Sequence, residues 1–242
     1  MANFIINTAG FKKPDDSTLD QKAVISKACE LGFSAIEIRN ELLNGTEKEL
    51  INIASEAKRI GIQVYYSVGA VLFRDNALNS DLKRYLTQMR MLGSNHLKMN
   101  LGQFKKNQNH LIDELNSYLD GTFELSIENN QTSIESNLSE TIDFFKQIKN
   151  SNVYYCFDLA NWEWLDSSVD EATKALESMT KYLHLKNVTE VNGKKVVTTL
   201  EKGNLDWQKL VKTFKQVDQY GFEYYADENT LKSELELLKN CL

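Results

Sequence analysis

Short apolar runs alternate with longer amphipathic ones along the whole chain. The short runs are rich in β-branched and aromatic residues and read as strands: 4–9 (FIINTA), 35–39 (AIEIR), 63–68 (QVYYSV), 96–100 (HLKMN), 123–128 (FELSIE), 153–158 (VYYCFD), 182–187 (YLHLKN) and 223–227 (EYYAD). Helical periodicity fills the gaps. In DSTLDQKAVISKACELG, Val24, Ala28 and Leu31 fall at i, i+4 and i+7, and Gly32 supplies a stop. GTEKELINIASEAKRIG repeats the pattern, with Thr46 placed to cap the start and Gly61 the end. Comparable segments lie at 79–93, 108–121, 133–150, 167–182 and 205–217.

Eight strands alternating with helices predict a parallel sheet of the α/β class. At 242 residues the repeat suits a closed (β/α)8 barrel, a fold of about 250 residues. An open doubly wound sheet is the competing architecture, but no GxGxxG or GxxxxGK[ST] follows an early strand. No Ser/Gly-rich or Pro-rich linker interrupts the chain, and Pro14 is its only proline, so residues 1–242 read as a single domain. One insertion stands out. Residues 188–200 carry an Asn192-Gly193 turn between β-prone arms, which predicts a hairpin above the seventh strand.

Composition narrows the function classes. A net charge of −6 argues against a nucleic-acid backbone binder, which needs a basic face, but leaves a small anionic substrate open. The three cysteines, Cys29, Cys156 and Cys241, form no CxxC and suggest neither a disulfide framework nor a zinc knuckle. The start, MANFIINTAGFKK, lacks the pattern of a signal peptide, and no apolar run approaches the length of a membrane span. A cytoplasmic protein without membrane partners is the expectation. The sequence neither requires nor excludes a homo-oligomer.

In a (β/α)8 barrel the loops after the strands build the site, so polar residues at strand ends carry the chemistry. Glu128, Asp158, His184 and Glu228 stand at the ends of the last four predicted strands, one per strand. Asp227 competes with Glu228, because strand alternation turns only one of the two inward. A mixed set of carboxylate oxygens and one imidazole suits a single divalent metal ion: Mn²⁺ first, with Mg²⁺, Co²⁺, Fe²⁺ or Zn²⁺ as alternatives. Any one of these acids alone reads equally well as a cap or a salt-bridge partner.

Glu37 and Arg39 share a face of the second strand, two apart. They suit sugar hydroxyls or a phosphate, or simply each other. Lys98 and Lys186 point toward the barrel mouth as substrate contacts or as counter-charges. Trp162 suits a cover over the apolar face of a sugar, whereas packing is the preferred reading for Trp164. His96 and His110 read as packing or surface residues.

The motifs GFSAIEIR, LSIENNQT, FDLANWEW, YLHLKNV and GNLDW, in this order and spacing, resemble the xylose-isomerase-like TIM barrels, and more narrowly the sugar phosphate isomerase/epimerase family. The resemblance spans about residues 30 to 230. It implies a divalent metal on Glu128, Asp158, His184 and Glu228, with Asn130 and Gln131 beside the substrate and Lys186 following the metal histidine. Many members carry a histidine three residues after the metal aspartate. Here that place is Asn161, an amide that can bind a hydroxyl but cannot act as a base. The activity implied is isomerisation or epimerisation of a ketose, keto-sugar acid or sugar phosphate, with Glu128 and Glu228 transferring protons α to a carbonyl. A dehydratase acting on a keto-inositol or dehydroshikimate-like substrate would use the same intermediate. A degenerate barrel that only binds a sugar is the third reading.

Overall fold

The structure, a computed structural model, describes residues 2–242. Eight parallel strands close into a barrel. They are β1 (Asn3–Asn7), β2 (Ala35–Arg39), β3 (Gln63–Arg74), β4 (His96–Gly102), β5 (Glu124–Glu128), β6 (Val153–Asp158), β7 (Thr180–Leu185) and β8 (Gln219–Phe222). Each pairs with its sequence neighbour, and β1 closes the ring by pairing with β8, Ile6 opposite Phe222. Helices α1 (Ile25–Glu30), α2 (Glu47–Ile60), α3 (Leu82–Met91), α4 (Asn109–Asn116), α5 (Leu138–Gln147), α6 (Val169–Leu176), α7 (Trp207–Thr213) and α8 (Glu228–Cys241) follow the strands in turn. Among the described residues no helix is long and apolar enough to cross a membrane.

The predicted caps hold. Thr46 accepts from the Glu49 amide at the start of α2, and Gly61 ends it at φ 81°, where a residue with a side chain would be strained. The hairpin forms from Asn187–Val191 and Lys194–Thr198, with Asn192 and Gly193 both at positive φ. It leaves the C-terminal end of β7, and Lys195 reaches Glu163 in the loop after β6.

Two expectations need correcting. The first helix is short, because the polar stretch 16–24 stays outside it. The last strand is Gln219–Phe222, four residues earlier than the aromatic-rich run 223–227 suggested. Residues 223–227 instead form the loop that enters α8, and Asp227 caps that helix by accepting from the Asn229 and Thr230 amides.

Alternation divides the strand residues between two cores. Outward side chains such as Ile36, Leu97, Ile127, Phe157, Leu183 and Phe222 pack under the helices. Inward ones form a separate plug: Ile5, Ala35, Tyr65, Tyr154, Cys156 and Tyr182. His96 belongs to this plug, with Nε2 3.0 Å from Ser126 Oγ and Nδ1 3.0 Å from the Tyr154 hydroxyl. It packs at the N-terminal mouth, while His110 is exposed on α4.

Gly221 lets Tyr182 cross the barrel. A Cβ there would come within 2.9 Å of the tyrosine ring. The freed path carries the Tyr182 hydroxyl to Glu37 Oε2, at 2.8 Å. The plug thus supports the charged layer above it.

Candidate metal centre

The charged layer sits at the C-terminal mouth. Glu128 ends β5, Asp158 ends β6, His184 lies on β7 and Glu223 follows β8. One ligand atom from each lies within 4.8 Å of the others. The imidazole Nδ1 is 2.5 Å from Glu128 Oε1 and 3.4 Å from Glu223 Oε2.

Glu223 takes the place that the sequence reading gave to Glu228. Glu228 is the first residue of α8; its side chain is 58% exposed and pairs with Lys27. The physical reason is the frame of the last strand. Tyr220, Phe222 and Tyr224 turn outward into the core, so Gln219, Gly221 and Glu223 share the inward parity. Reading that alternation in QYGFEY would have found Glu223.

A frame of asparagines fixes Asp158. Asn129 Oδ1 accepts from the Asp158 amide at 2.9 Å, and its Nδ2 donates to the Asp158 carbonyl at 3.2 Å. Asp158 Oδ1 accepts from the amides of Ala160 and Asn161 at 3.0 and 2.9 Å. That leaves Oδ2 for the cluster.

Asn161 lines the cavity, but its amide is already engaged. Nδ2 donates to the Asn129 carbonyl and Oδ1 accepts from Gln131 Nε2. Asn130 is similarly tied to Glu135. Trp162 is not a substrate cover. It is buried in the outer core, its ring 5.7 Å from Phe157, and its Nε1 finds no partner among the described residues. It does not line the cavity. Trp164 is half-buried in the same turn.

Glu37 and Arg39 do not pair with each other to complete a charge pair. Glu37 is fully buried behind His184, with Oε2 3.4 Å from Nε2, and it accepts from Asn7 and Tyr182. This orients the ring so that Nδ1 faces the other donors, the usual role of a carboxylate behind a ligating histidine. Arg39 instead reaches Glu223 Oε1 at 2.8 Å and also pairs with Glu41.

Two lysines complete the layer. Lys98 Nζ lies 2.7 Å from Glu128 Oε2 and 3.2 Å from Glu37 Oε1. It is nearly equidistant from the two His184 nitrogens, 3.3 and 3.4 Å, so it lies over the ring face and not on the Nδ1 lone pair. Lys186 Nζ bridges Asp158 Oδ2 and Glu223 Oε2 at 2.7 and 2.8 Å.

These contacts set the charge states. Burial opposes the imidazolium of His184, but Glu128, with Glu37 and Glu223, outweighs it and holds the pKa well above the usual value. Burial likewise resists ionisation of Glu223, yet Lys186, His184 and Lys98 pull it well below the usual carboxylate range. For Asp158 burial wins, and despite Lys186 its carboxyl is pushed up to about 6.

The residues fit a divalent ion. Glu128 Oε1 and Asp158 Oδ2 are buried and take no well-directed hydrogen bond; each meets a cationic group only at ion-pair distance. Buried oxygens in that condition are costly unless something satisfies them. Three carboxylate oxygens and one imidazole nitrogen are a donor set for Mn²⁺ or Mg²⁺, and also for Zn²⁺ or Fe²⁺.

A cavity of about 400 Å³ opens above the cluster, lined among others by Arg39, Ser67, Lys98, Asn100, Lys186 and Glu223. A larger hollow, about 1030 Å³, lies at the opposite mouth and contains none of the clustered donors. The clustered donors therefore open onto the smaller one.

Comparison with known proteins agrees with this architecture. A family model described as xylose isomerase-like TIM barrel matches residues 25–241. No curated protein matches the sequence. Among solved structures, D-psicose 3-epimerase from Clostridium cellulolyticum H10 is 16% identical, with a TM-score of 0.68, covering 98% of this chain and 97% of that one. D-allulose 3-epimerase from Methylomonas sp. is 13% identical, with a TM-score of 0.71, covering 100% and 97%. A probable 3-DHS dehydratase involved in petrobactin synthesis in Bacillus anthracis is 14% identical, with a TM-score of 0.67, covering 98% and 99%.

Proposed function

The chain belongs to the xylose isomerase-like TIM barrel family, and from that premise we propose that it is a divalent-metal-dependent isomerase or epimerase of a hydroxy-ketone sugar or sugar acid. The observation that carries the reading is the convergence of Glu128, Asp158, His184 and Glu223 from four consecutive strands on one point beneath an open cavity. The epimerase structures that share the fold support the reaction class.

A bound divalent ion supplies Lewis-acid stabilisation for the negative charge that develops on a carbonyl oxygen. The protein's own groups do the rest. Glu128 and Glu223 approach the cluster from different strands and are the proton-transfer pair, Glu223 replacing the Glu228 first expected in that role. One carboxylate on each face of the reacting carbon gives epimerisation. A single carboxylate shuttling between adjacent carbons gives isomerisation. Glu37 holds the His184 ring in place, and Asn129 holds the backbone of Asp158. Lys98 and Lys186 favour the ionised forms of Glu128 and Glu223 in a buried site.

The test is proton exchange. Protein loaded with Mn²⁺ is incubated in D₂O with a panel of ketoses and keto-sugar acids, and the carbon α to the carbonyl is followed by NMR. Deuterium is expected to enter without loss of water. Glu128→Gln or a chelator is expected to abolish the exchange. No incorporation from any panel member, in protein shown to hold the ion, would sink the proposal. Incorporation coupled to loss of a β-hydroxyl would instead favour a dehydratase, the probable activity of the similar Bacillus anthracis protein.

A further inference from the structure

Two sets of donors overlap at the base of the cluster. Glu128 and His184 belong to the four-donor set, and both also meet Cys156. One ligand atom from each of Glu128, Cys156 and His184 lies within 4.8 Å of the others. Cys156 stands opposite Glu128 in the β5–β6 register and two residues before Asp158 on the same strand. It therefore shares the inward parity of Asp158 but lies one inward position deeper, within the plug. It is fully buried and forms no disulfide.

A sulfur donor changes which ion the group prefers. Mg²⁺ and Mn²⁺ favour oxygen and gain little from a thiol. Zn²⁺ and the softer Cd²⁺ favour thiolate together with imidazole. A coordinated thiol is deprotonated, and its proton passes to solvent. Carboxylate, thiol and imidazole come here from three consecutive strands, β5, β6 and β7. Glu128 has an oxygen to give to either set. Lys98 holds its Oε2 at 2.7 Å, whereas Oε1 is buried without a hydrogen bond and lies 2.5 Å from His184 Nδ1. Lys98 also keeps Glu37 as a partner, at 3.2 Å, so it is not anchored by Glu128 alone.

Resting on the metal-centre reading above, we propose that Glu128, Cys156 and His184 form a second ion position, which takes a thiophilic divalent ion such as Zn²⁺ or Cd²⁺. The two positions share Glu128 and His184, so an ion in one excludes an ion from the other. An ion drawn toward Cys156 gives up Asp158 and Glu223. Thiophilic ions thus displace the oxygen-preferring ion and do not add to it.

The test uses Cd²⁺ as the probe, in full-length protein with Cys29 and Cys241 replaced by serine, so that Cys156 is the one thiol left. Cd²⁺ is titrated into the Mn²⁺-loaded protein. Sulfur-to-metal charge transfer is followed in the ultraviolet, and released Mn²⁺ by electron paramagnetic resonance. The charge-transfer band is expected to saturate at one Cd²⁺ per chain, with matching release of Mn²⁺. Cys156→Ser and Cys156→Ala are expected to lose the band and at least about tenfold in Cd²⁺ affinity, while Mn²⁺ affinity stays within about twofold. No band in the parent protein overturns the proposal, and so does Cd²⁺ that binds without releasing Mn²⁺. An equal loss of Cd²⁺ and Mn²⁺ affinity in both variants also overturns it, because Cys156 would then only support the fold of the cluster. The parent band and the Mn²⁺ release decide the matter even if neither variant folds. Mn²⁺ binding and proton exchange with no sulfur band removes the second position and leaves the proposed function standing. If neither ion binds, the metal-assisted reading itself has failed and the second position falls with it.

Discussion

Exchanging Glu223 and Glu228, one at a time, for glutamine separates the inward parity of the last strand from its visible acidic ending. Glu223 meets Lys186 and Arg39 at 2.8 Å each and offers Oε2 to the cluster, with its side chain only 10% exposed. Glu223→Gln keeps the shape but removes the charge. Loss of one partner in a buried ion pair costs about 3–5 kcal/mol when the opposite charge is left alone. Here Lys186 retains Asp158 and Arg39 retains Glu41, so the loss of folding stability should fall below that range. Metal affinity should suffer more. Removing a group that merely supports a ligand typically weakens binding about 10- to 100-fold, and removing a ligand should exceed this. Glu228 forms an exposed pair with Lys27, of a kind worth about 0–1 kcal/mol. Glu228→Gln should change neither stability nor metal affinity appreciably. The assay is Mn²⁺ titration by calorimetry, with urea unfolding of the ion-free proteins alongside. A loss of affinity in Glu228→Gln equal to that in Glu223→Gln would refute the assignment of the fourth donor.

Mn²⁺ affinity should fall with acidity through two of the donors, His184, whose imidazolium the neighbouring carboxylates favour, and Asp158, whose carboxyl is pushed up to about 6. Only the deprotonated imidazole and the ionised carboxylate bind the ion, so affinity should already decline by about tenfold per unit as pH falls toward 6, and more steeply below it once Asp158 also takes up a proton; a flat titration between pH 5 and 7 would contradict this. Gly221→Ala drives a Cβ against the Tyr182 ring, so overpacking should cost about 1–3 kcal/mol in chemical denaturation and loosen the hydroxyl from Glu37. Unchanged stability would mean that the tyrosine has another path. Trp162→Phe should cost little, because it keeps an aromatic ring against Phe157 and removes an unpaired Nε1 donor, whereas Trp162→Ala should cost about 3–5 kcal/mol. Weakened ligand binding by a stable Trp162→Phe would return that tryptophan to the site.

Much of the barrel was legible in the alternation of short apolar runs with amphipathic ones, because every strand is covered by a helix and must be apolar on its outer face. Three of the four clustered donors stood where those runs ended. The fourth was hidden by composition. Gln219-Tyr220-Gly221-Phe222 is a weak strand by propensity, with a glycine at its centre, and the next residues carry three aromatic or small apolar side chains. The glycine is there because Tyr182, from the neighbouring strand, occupies its space. No local rule reveals that.

The same distinction explains the fate of the other candidates. Strand parity correctly turned Glu37, Arg39, Lys98 and Lys186 toward the barrel axis, but their depth along that axis decides what each does. Glu37, midway along β2, meets His184 from behind; Arg39, two residues on, reaches Glu223 at the rim. On β7, His184 offers Nδ1 to the cluster and Lys186 closes over Asp158 and Glu223. A rise of one inward position thus moves a side chain from the buried base of the cluster to the lining of the cavity. Lys98 illustrates the limit of sequence reading. Its charge is placed over an imidazole 86 residues away, and only closure of the barrel brings them together. The aromatic plug lies beneath the deepest carboxylate, Glu37, whose partners come from other strands: Asn7, Tyr182 and Lys98. The layer is consequently buried at its base and open where Arg39 and the cavity lining face outward.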